Sequence, residues 1–309
     1  MLILNYQRMS TEDGPGLRTT LFVKGCPLKC RWCHNPESIS FKKQIEWLEV
    51  RCMGCGECIK TCPNQALSAT EQGIIVDREK CAACGKCIDA CPTGALEAKG
   101  KEVTVEQAYK ELVKDKAYFG SDGGVTLSGG EIMAQAKEAS ELLRMLKENG
   151  IGTAVDTCGL TKRENFDMVF PYADVFLYDI KLIDSDEHEK FTGVKNEQIL
   201  ENFLYLAEKV KGTDKRIWIR TPIIPGATDT DENIRGIARF IKGKYERWEM
   251  CAFNNLCRDK YDRLYQDWFY KKTELMTDER MDELVAIAEE EGLKNVYRTG
   301  ATRLKKGGE

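Results

Sequence analysis

The chain has 309 residues, 42% of them hydrophobic and 31% charged, which suits one large α/β domain with a small second unit. A formal net charge of −4 offers no basic footprint for nucleic acid and no polybasic membrane patch. No apolar run approaches the roughly 18 residues that span a bilayer, and the opening MLILNYQRMSTEDG lacks the regions of a signal peptide, so a cytoplasmic protein is expected.

Cysteine stands out: there are 14, and 11 fall in three tight groups before residue 92. In a reducing compartment such spacing argues for metal rather than disulfides. Early in the chain, Asp13-Gly14-Pro15-Gly16 reads as a turn, either a plain β-turn or exposed backbone that another chain can approach closely. LRTTLFVKG (17–25) reads as a β-strand with a Gly stop. Directly after it come Cys26, Cys30 and Cys33, spaced C-x3-C-x2-C. Three thiolates leave one iron of a cubane without a protein ligand, and an open coordination position is where metal chemistry happens. A structural cluster completed by distant Cys158, Cys251 or Cys257 is the alternative at this point. His34 and His188 are the only histidines and read as structural, since neither has a partner visible in sequence.

The next stretch, CMGCGECIKTCPNQAL (52–67), recurs 29 positions later as CAACGKCIDACPTGAL with nine of sixteen positions identical. Each copy is C-x2-C-x2-C-x3-C-P, the run that wraps one 4Fe-4S cubane with three thiolates and sends the fourth to the other cubane. The expected ligand sets are therefore Cys52, Cys55, Cys58 and Cys91 for one centre, and Cys62, Cys81, Cys84 and Cys87 for the other. Zinc modules pair their knuckles across a longer loop, and this spacing does not. Residues 51–99 are expected to form an inserted α+β unit resembling a two-cluster ferredoxin. It would divide a larger domain into 1–50 and 100–309.

Beyond the insert, strands and helices alternate. GGVTLSGGE is strand then turn, 131–149 is helical by spacing, and GIGTAVDTCG, ADVFLYDIKL and KRIWIRTPIIPG read as strands. Helices are expected near 195–211 and 231–244, a strand at RWEMCAF, and a late amphipathic helix at 277–292. Such alternation means a parallel sheet, and about six units suit a partial (β/α)6-type barrel. Functional groups of barrels sit where strands end. Gly129, Gly130 and Glu131 follow one strand; Asp156 and Thr157 end the next; Asp179 and Lys181 close another from one face; Arg220 ends IWIR. Taken singly, each has an ordinary reading as a turn, a helix start or a surface ion pair.

With Trp32 before its last Cys, the C-x3-C-x-aromatic-C motif resembles the radical S-adenosylmethionine (SAM) superfamily. Nearly the whole chain is similar to the glycyl-radical-enzyme activating enzymes, the pyruvate formate-lyase activating enzyme family. DGPGLRTTLFVKGCPLKCRWCHNPES, TLSGGE, DTCG, YDIKL and RTPIIPG carry this resemblance. It implies a radical SAM oxidoreductase that cleaves SAM reductively to a 5'-deoxyadenosyl radical and abstracts hydrogen from a backbone glycine of a partner glycyl radical enzyme. It implies that Cys26, Cys30 and Cys33 bind the SAM-cleaving cluster with Trp32 near the adenine, and that Gly129, Gly130 and Glu131 face the SAM amino group. Asp156, Thr157 and Asp179 would form a polar site beside the SAM carboxylate able to take a monovalent cation, with Lys181 contacting that carboxylate and Arg220 among the cofactor-binding residues. Asn254 would stand where relatives carry a ribose-side His, and Asp13 to Gly16 would hold the partner's glycine loop.

The insert places the sequence with the extended subgroup, bringing the expected cofactors to three 4Fe-4S clusters and SAM. A flavodoxin or ferredoxin would donate electrons, and no nucleic acid or membrane partner is expected. Whether the insert carries electrons or acts as a rigid spacer stays open in the sequence. So do two rivals: a radical SAM enzyme on another substrate, and a ferredoxin-type electron carrier.

Overall fold

The computed structural model describes residues 1–71 and 73–303. Strand β1 (Leu2–Ser10) turns back antiparallel onto β2 (Arg18–Val23). The small unit follows: β3 (Gln44–Trp47), α1 (Glu57–Thr61), β4 (Leu67–Thr70), β5 (Gly73–Val76), α2 (Lys86–Asp89) and β6 (Leu96–Lys99). After β7 (Lys101–Glu102) and α3 (Val105–Leu112), strands and helices alternate through β8 (Gly124–Gly129), α4 (Ala136–Glu148), β9 (Gly152–Thr157), α5 (Arg163–Val169) and β10 (Val175–Asp179). Two helices, α6 (Ser185–Thr192) and α7 (Glu197–Val210), then lead to β11 (Arg216–Ile223), α8 (Asp231–Ile241) and β12 (Arg247–Ala252). The described chain closes with α9 (Arg258–Arg263), α10 (Asp278–Glu290) and β13 (Val296–Thr299).

Local chemistry accounts for these elements. In α8, Ile234, Ile237, Ala238 and Ile241 repeat at helical spacing and are buried, while the Thr230 hydroxyl caps the start by accepting from the Asn233 N–H at 3.2 Å. A reciprocal Thr104–Gln107 capping box opens α3. α6 starts on Asp184, which accepts from the Glu187 N–H at 2.9 Å, and stops at Gly193 in the left-handed conformation. Strands such as β8 and β10 run almost wholly buried, as parallel strands do when helices cover one face and the barrel interior the other.

One sheet carries the fold, in the order β13-β12-β11-β10-β9-β8-β2-β1-β7. The six strands expected from sequence all occur and pair in parallel. Two features were not anticipated. β13 extends the parallel set to seven strands, and on the opposite side the polar-rich β1 joins antiparallel, covered only at Leu2 and Ile3 by the two-residue edge strand β7. β1 carries exposed Gln7 and Arg8, the pattern of an edge strand, and this hid it in the sequence. The helix expected from 131 begins instead with a 3₁₀ turn, Ile132–Gln135. The strands β9, β10 and β11 send Ala154, Val175, Leu177 and Trp218 to a separate apolar group apart from the main core.

The small unit has its own buried cluster: Ile45, Trp47, Cys58, Leu67, Ile74, Val76, Cys87, Ala95 and Leu96. This cluster reaches upstream of residue 51, because β3 pairs antiparallel with β6. Among the described residues, no helix is long and apolar enough to cross a membrane.

Candidate active site

Side-chain alternation along the strands builds the site. Asp156, Asp179 and Arg220 each lie two residues beyond an apolar partner (Ala154, Leu177 and Trp218), so they share its face and stack above it toward the strand ends. There they line a cavity of about 390 Å³ together with Cys26, Cys30, Cys33 and Trp32 from the loop after β2. Gly129, Gly130, Thr157 and Lys181 line it as well, as does Asp13. The Gly129-Gly130 pair is required by close approach: a Cβ on Gly130 would sit 2.3 Å from the Gly25 carbonyl oxygen, one residue from Cys26.

The cavity is electrostatically divided. Lys181 Nζ donates to Asp179 Oδ2; burial opposes the ammonium, but Asp179 and Cys30 outweigh it and hold its pKa above the ordinary value. Asp156 Oδ2 accepts from Ser128 Oγ at 2.6 Å, and burial pushes its pKa up to about 7 against the pull of Arg220. Arg220 donates from Nη2 to Glu12 O at 3.1 Å, its ion pairs are long at 3.7 Å to Asp156 and 3.5 Å to Glu249, and its buried Nε has no hydrogen-bond partner among the described residues. A guanidinium NH donor left spare in a cavity wall suits an added polar ligand. Burial also pushes the thiols of Cys26, Cys30 and Cys33 up to about 12, so without a metal they stay protonated at neutral pH.

Three of the expected site features are placed apart from the cavity lining, wholly or in part. Glu131 does not line the cavity. It is 1% exposed, and its carboxylate accepts from the Met133 N–H (2.8 Å), Thr157 Oγ1 (2.7 Å) and the Cys158 N–H (2.7 Å), clamping the end of β8 to the end of β9. Asn254 is not among the lining residues either; its side chain caps the turn by accepting from the Leu256 N–H at 3.2 Å, and its neighbours Cys251 to Phe253 face the cavity instead. Of the Asp13–Gly16 turn, Asp13 alone lines the cavity. Asp13 Oδ2 accepts from Thr20 Oγ1 at 2.8 Å and its carbonyl from Thr126 Oγ1 at 2.6 Å, both mid-strand positions, so the turn enters the barrel. Buried Arg18 holds it there, donating to Pro15 O at 3.0 Å and to Thr126 Oγ1 at 2.6 Å. Gly14, Pro15 and Gly16 themselves do not line the cavity.

Sequence reasoning missed Ser128, His34, Phe253 and Cys251 as lining residues. The alternation that places Thr126 inward would have found Ser128. Nothing local marks His34 or Phe253, whose rings meet at 6.3 Å.

In the small unit the cysteines ring two further cavities. Cys52, Cys55, Cys58 and Cys91 line one, with Trp47 and Ile74; Cys62, Cys81, Cys84 and Cys87 line the other, with Ile45. The fourth thiol of each run thus crosses to the other set. The Ala66 and Ala95 N–H groups donate to Cys62 Sγ (3.3 Å) and Cys91 Sγ (3.2 Å), so the two copies match in detail. Among the described residues, no three or more His, Cys, Asp or Glu converge as a single-ion site. Thiols spaced around a cavity fit a polynuclear cluster better than one ion.

Comparison with known proteins shows the family. The Radical SAM superfamily model matches residues 20–241. The chain is 43% identical over 93% of its length to trans-4-hydroxy-L-proline dehydratase activating enzyme of Clostridioides difficile, covering 96% of that protein. It is 42% identical to (2S)-3-sulfopropanediol sulfolyase activating enzyme of Bilophila wadsworthia, over 85% of this chain and 88% of that one. It is also similar to choline trimethylamine-lyase activating enzyme of Oleidesulfovibrio alaskensis, at 38% over 78% of each. Among solved structures, Streptococcus suis SuiB bound to precursor peptide SuiA shares the fold, with TM-score 0.51 at 16% identity over 89% of this chain and 46% of that one. The chain belongs to the radical SAM superfamily and, within it, to the activating enzymes of glycyl radical enzymes.

Proposed function

We propose that Cys26, Cys30 and Cys33 hold the 4Fe-4S cluster at which this activating enzyme cleaves SAM, and that the rest of the cavity binds SAM itself. The observation that carries this reading is the meeting of three thiols with Asp156, Asp179, Lys181 and Arg220 in one cavity. Held by these thiols, such a cluster would supply the one electron needed to cleave SAM to methionine and a 5'-deoxyadenosyl radical, the species that would take a hydrogen atom from a glycine of the partner. Lys181 would turn from Asp179 to the SAM carboxylate, and a monovalent cation would then neutralise Asp156 and Asp179. Gly129 and Gly130 offer bare backbone to the amino group, and Trp32, Ile224 and Phe253 offer apolar surface to the adenine. Asp13, lining the same cavity, would meet the partner's glycine loop.

The two cysteine sets of the small unit would hold two more 4Fe-4S clusters, making residues around 51–99 a ferredoxin-like relay from an external flavodoxin or ferredoxin. The relatives serve a dehydratase, lyases and a decarboxylase at similar identities, so the reading names the partner's class and not its substrate. A pure electron carrier would leave the barrel cavity without a role. The test is anaerobic: the reconstituted, reduced protein should release 5'-deoxyadenosine from SAM, and Cys30→Ala should abolish this while the small unit keeps its iron. Cleavage retained by Cys30→Ala would overturn the reading.

A further inference from the structure

The segment from Cys257 to Trp268, built on α9, packs across the three-cysteine loop, and the chemistry above leaves it without a role. The loop is gripped from two sides. The end of α6 takes its amides: the Lys29 N–H donates to Thr192 O at 2.7 Å and the Arg31 N–H to Phe191 O at 3.0 Å. Its carbonyls go to the α9 segment. Trp268 Nε1–H donates to Arg31 O at 2.8 Å, and the Tyr261 hydroxyl donates to Cys33 O at 2.8 Å. Both rings are buried, and they stack at 4.9 Å with 9° between planes, so each fixes the other. Lys260 adds bonds to Asn35 Oδ1 at 2.7 Å and Glu37 Oε1 at 2.8 Å.

The two gripped carbonyls belong to the peptide groups on either side of the Trp32–Cys33 pair, and both of those side chains line the cavity. Rotation of the Arg31–Trp32 plane would re-aim the Trp32 ring, and rotation of the Cys33–His34 plane the Cys33 thiol. We propose that Tyr261 and Trp268 are positioning residues for SAM cleavage, fixing the Arg31–Cys33 main chain and thereby the direction of one cluster thiolate and of the aromatic wall beside it. This rests on reading Cys33 as a cluster ligand.

Tyr261→Phe deletes one donor and keeps the ring stack; Trp268→Phe is the companion. Reconstituted protein is challenged anaerobically with an iron chelator without SAM, and iron release is followed in time. One cubane's share, roughly a third of the iron, should leave about fivefold faster in Tyr261→Phe, the factor expected for one neutral hydrogen bond. The remaining iron should leave at the wild-type rate. In the same variant the KM for SAM should rise with kcat little changed, and the electron paramagnetic resonance signal of the reduced protein with SAM should broaden. Release and KM both at wild-type values, or equal acceleration of all the iron, would overturn the proposal. The iron-release arm needs no SAM cleavage, and wild-type cleavage is measured separately, so failure of the functional reading is told apart from failure of this one.

Discussion

Replacing Glu131 with Gln separates two roles that the sequence alone runs together. A SAM-contacting carboxylate would, on substitution, raise the KM for SAM and leave stability untouched. The structure assigns the carboxylate instead to Met133 N–H, Thr157 Oγ1 and Cys158 N–H, with no cavity exposure. Gln retains one acceptor oxygen, enough for the Met133 and Thr157 bonds that share Oε1, but its amide must face the Cys158 N–H. One charge-assisted bond is lost, about 1.5–3 kcal/mol. Relief of the buried charge offsets part of this, since burial itself raises the Glu131 pKa. A net destabilisation of about 2 kcal/mol corresponds to roughly 3 °C in midpoint for a chain of this size. Thermal unfolding of the iron-loaded protein, followed by circular dichroism under anaerobic conditions, reads it directly. Glu131→Ala, which strands two buried N–H groups, should cost about 4 kcal/mol. An unchanged midpoint in Glu131→Gln with a raised KM would refute the clamp and restore the SAM contact.

Asp156→Asn should alter the pH dependence of stability. Because the folded pKa is raised to about 7 from 3.8, the carboxyl favours folding in its neutral form, and that contribution is lost as pH climbs through this window. The midpoint of Asp156→Asn relative to wild type should therefore rise from about pH 4 to about pH 7 and then level off; a flat difference would contradict the assignment. Cys62→Ala and Cys84→Ala should lose the same irons, so the double variant should lose no more than either alone, whereas Cys62→Ala with Cys91→Ala should empty both centres; additive loss in the first pair would break the crossed ligand sets. Arg18→Lys should loosen the Asp13–Gly16 turn by giving up at least one of its bonds to Pro15 O and Thr126 Oγ1, lowering glycyl-radical formation on the partner more than SAM cleavage without it. Equal loss of both activities would count against a partner-side role for that turn.

The sequence alone determined whatever depends on short spacing. Six parallel strands, the C-x3-C-x2-C loop, the two repeated cysteine runs and the strand-end positions of Asp156, Asp179 and Arg220 all follow from local periodicity of 2.0 or from motifs within about sixteen residues. Glu131 and Asn254 show where that reasoning stops. Each sits beside true lining residues, yet the side chain is taken by partners that the strand and turn geometry brings up: Cys158 for Glu131, Leu256 for Asn254. β13 was too short to read, and β1 too polar. Tertiary structure alone decided the insertion of the Asp13 turn into the barrel under Arg18, and the grip of Tyr261 and Trp268 on a loop more than 200 residues upstream. Hydrogen bonds of such separation leave no periodic trace in a chain, because their partners are chosen by the packed fold and not by neighbouring residues.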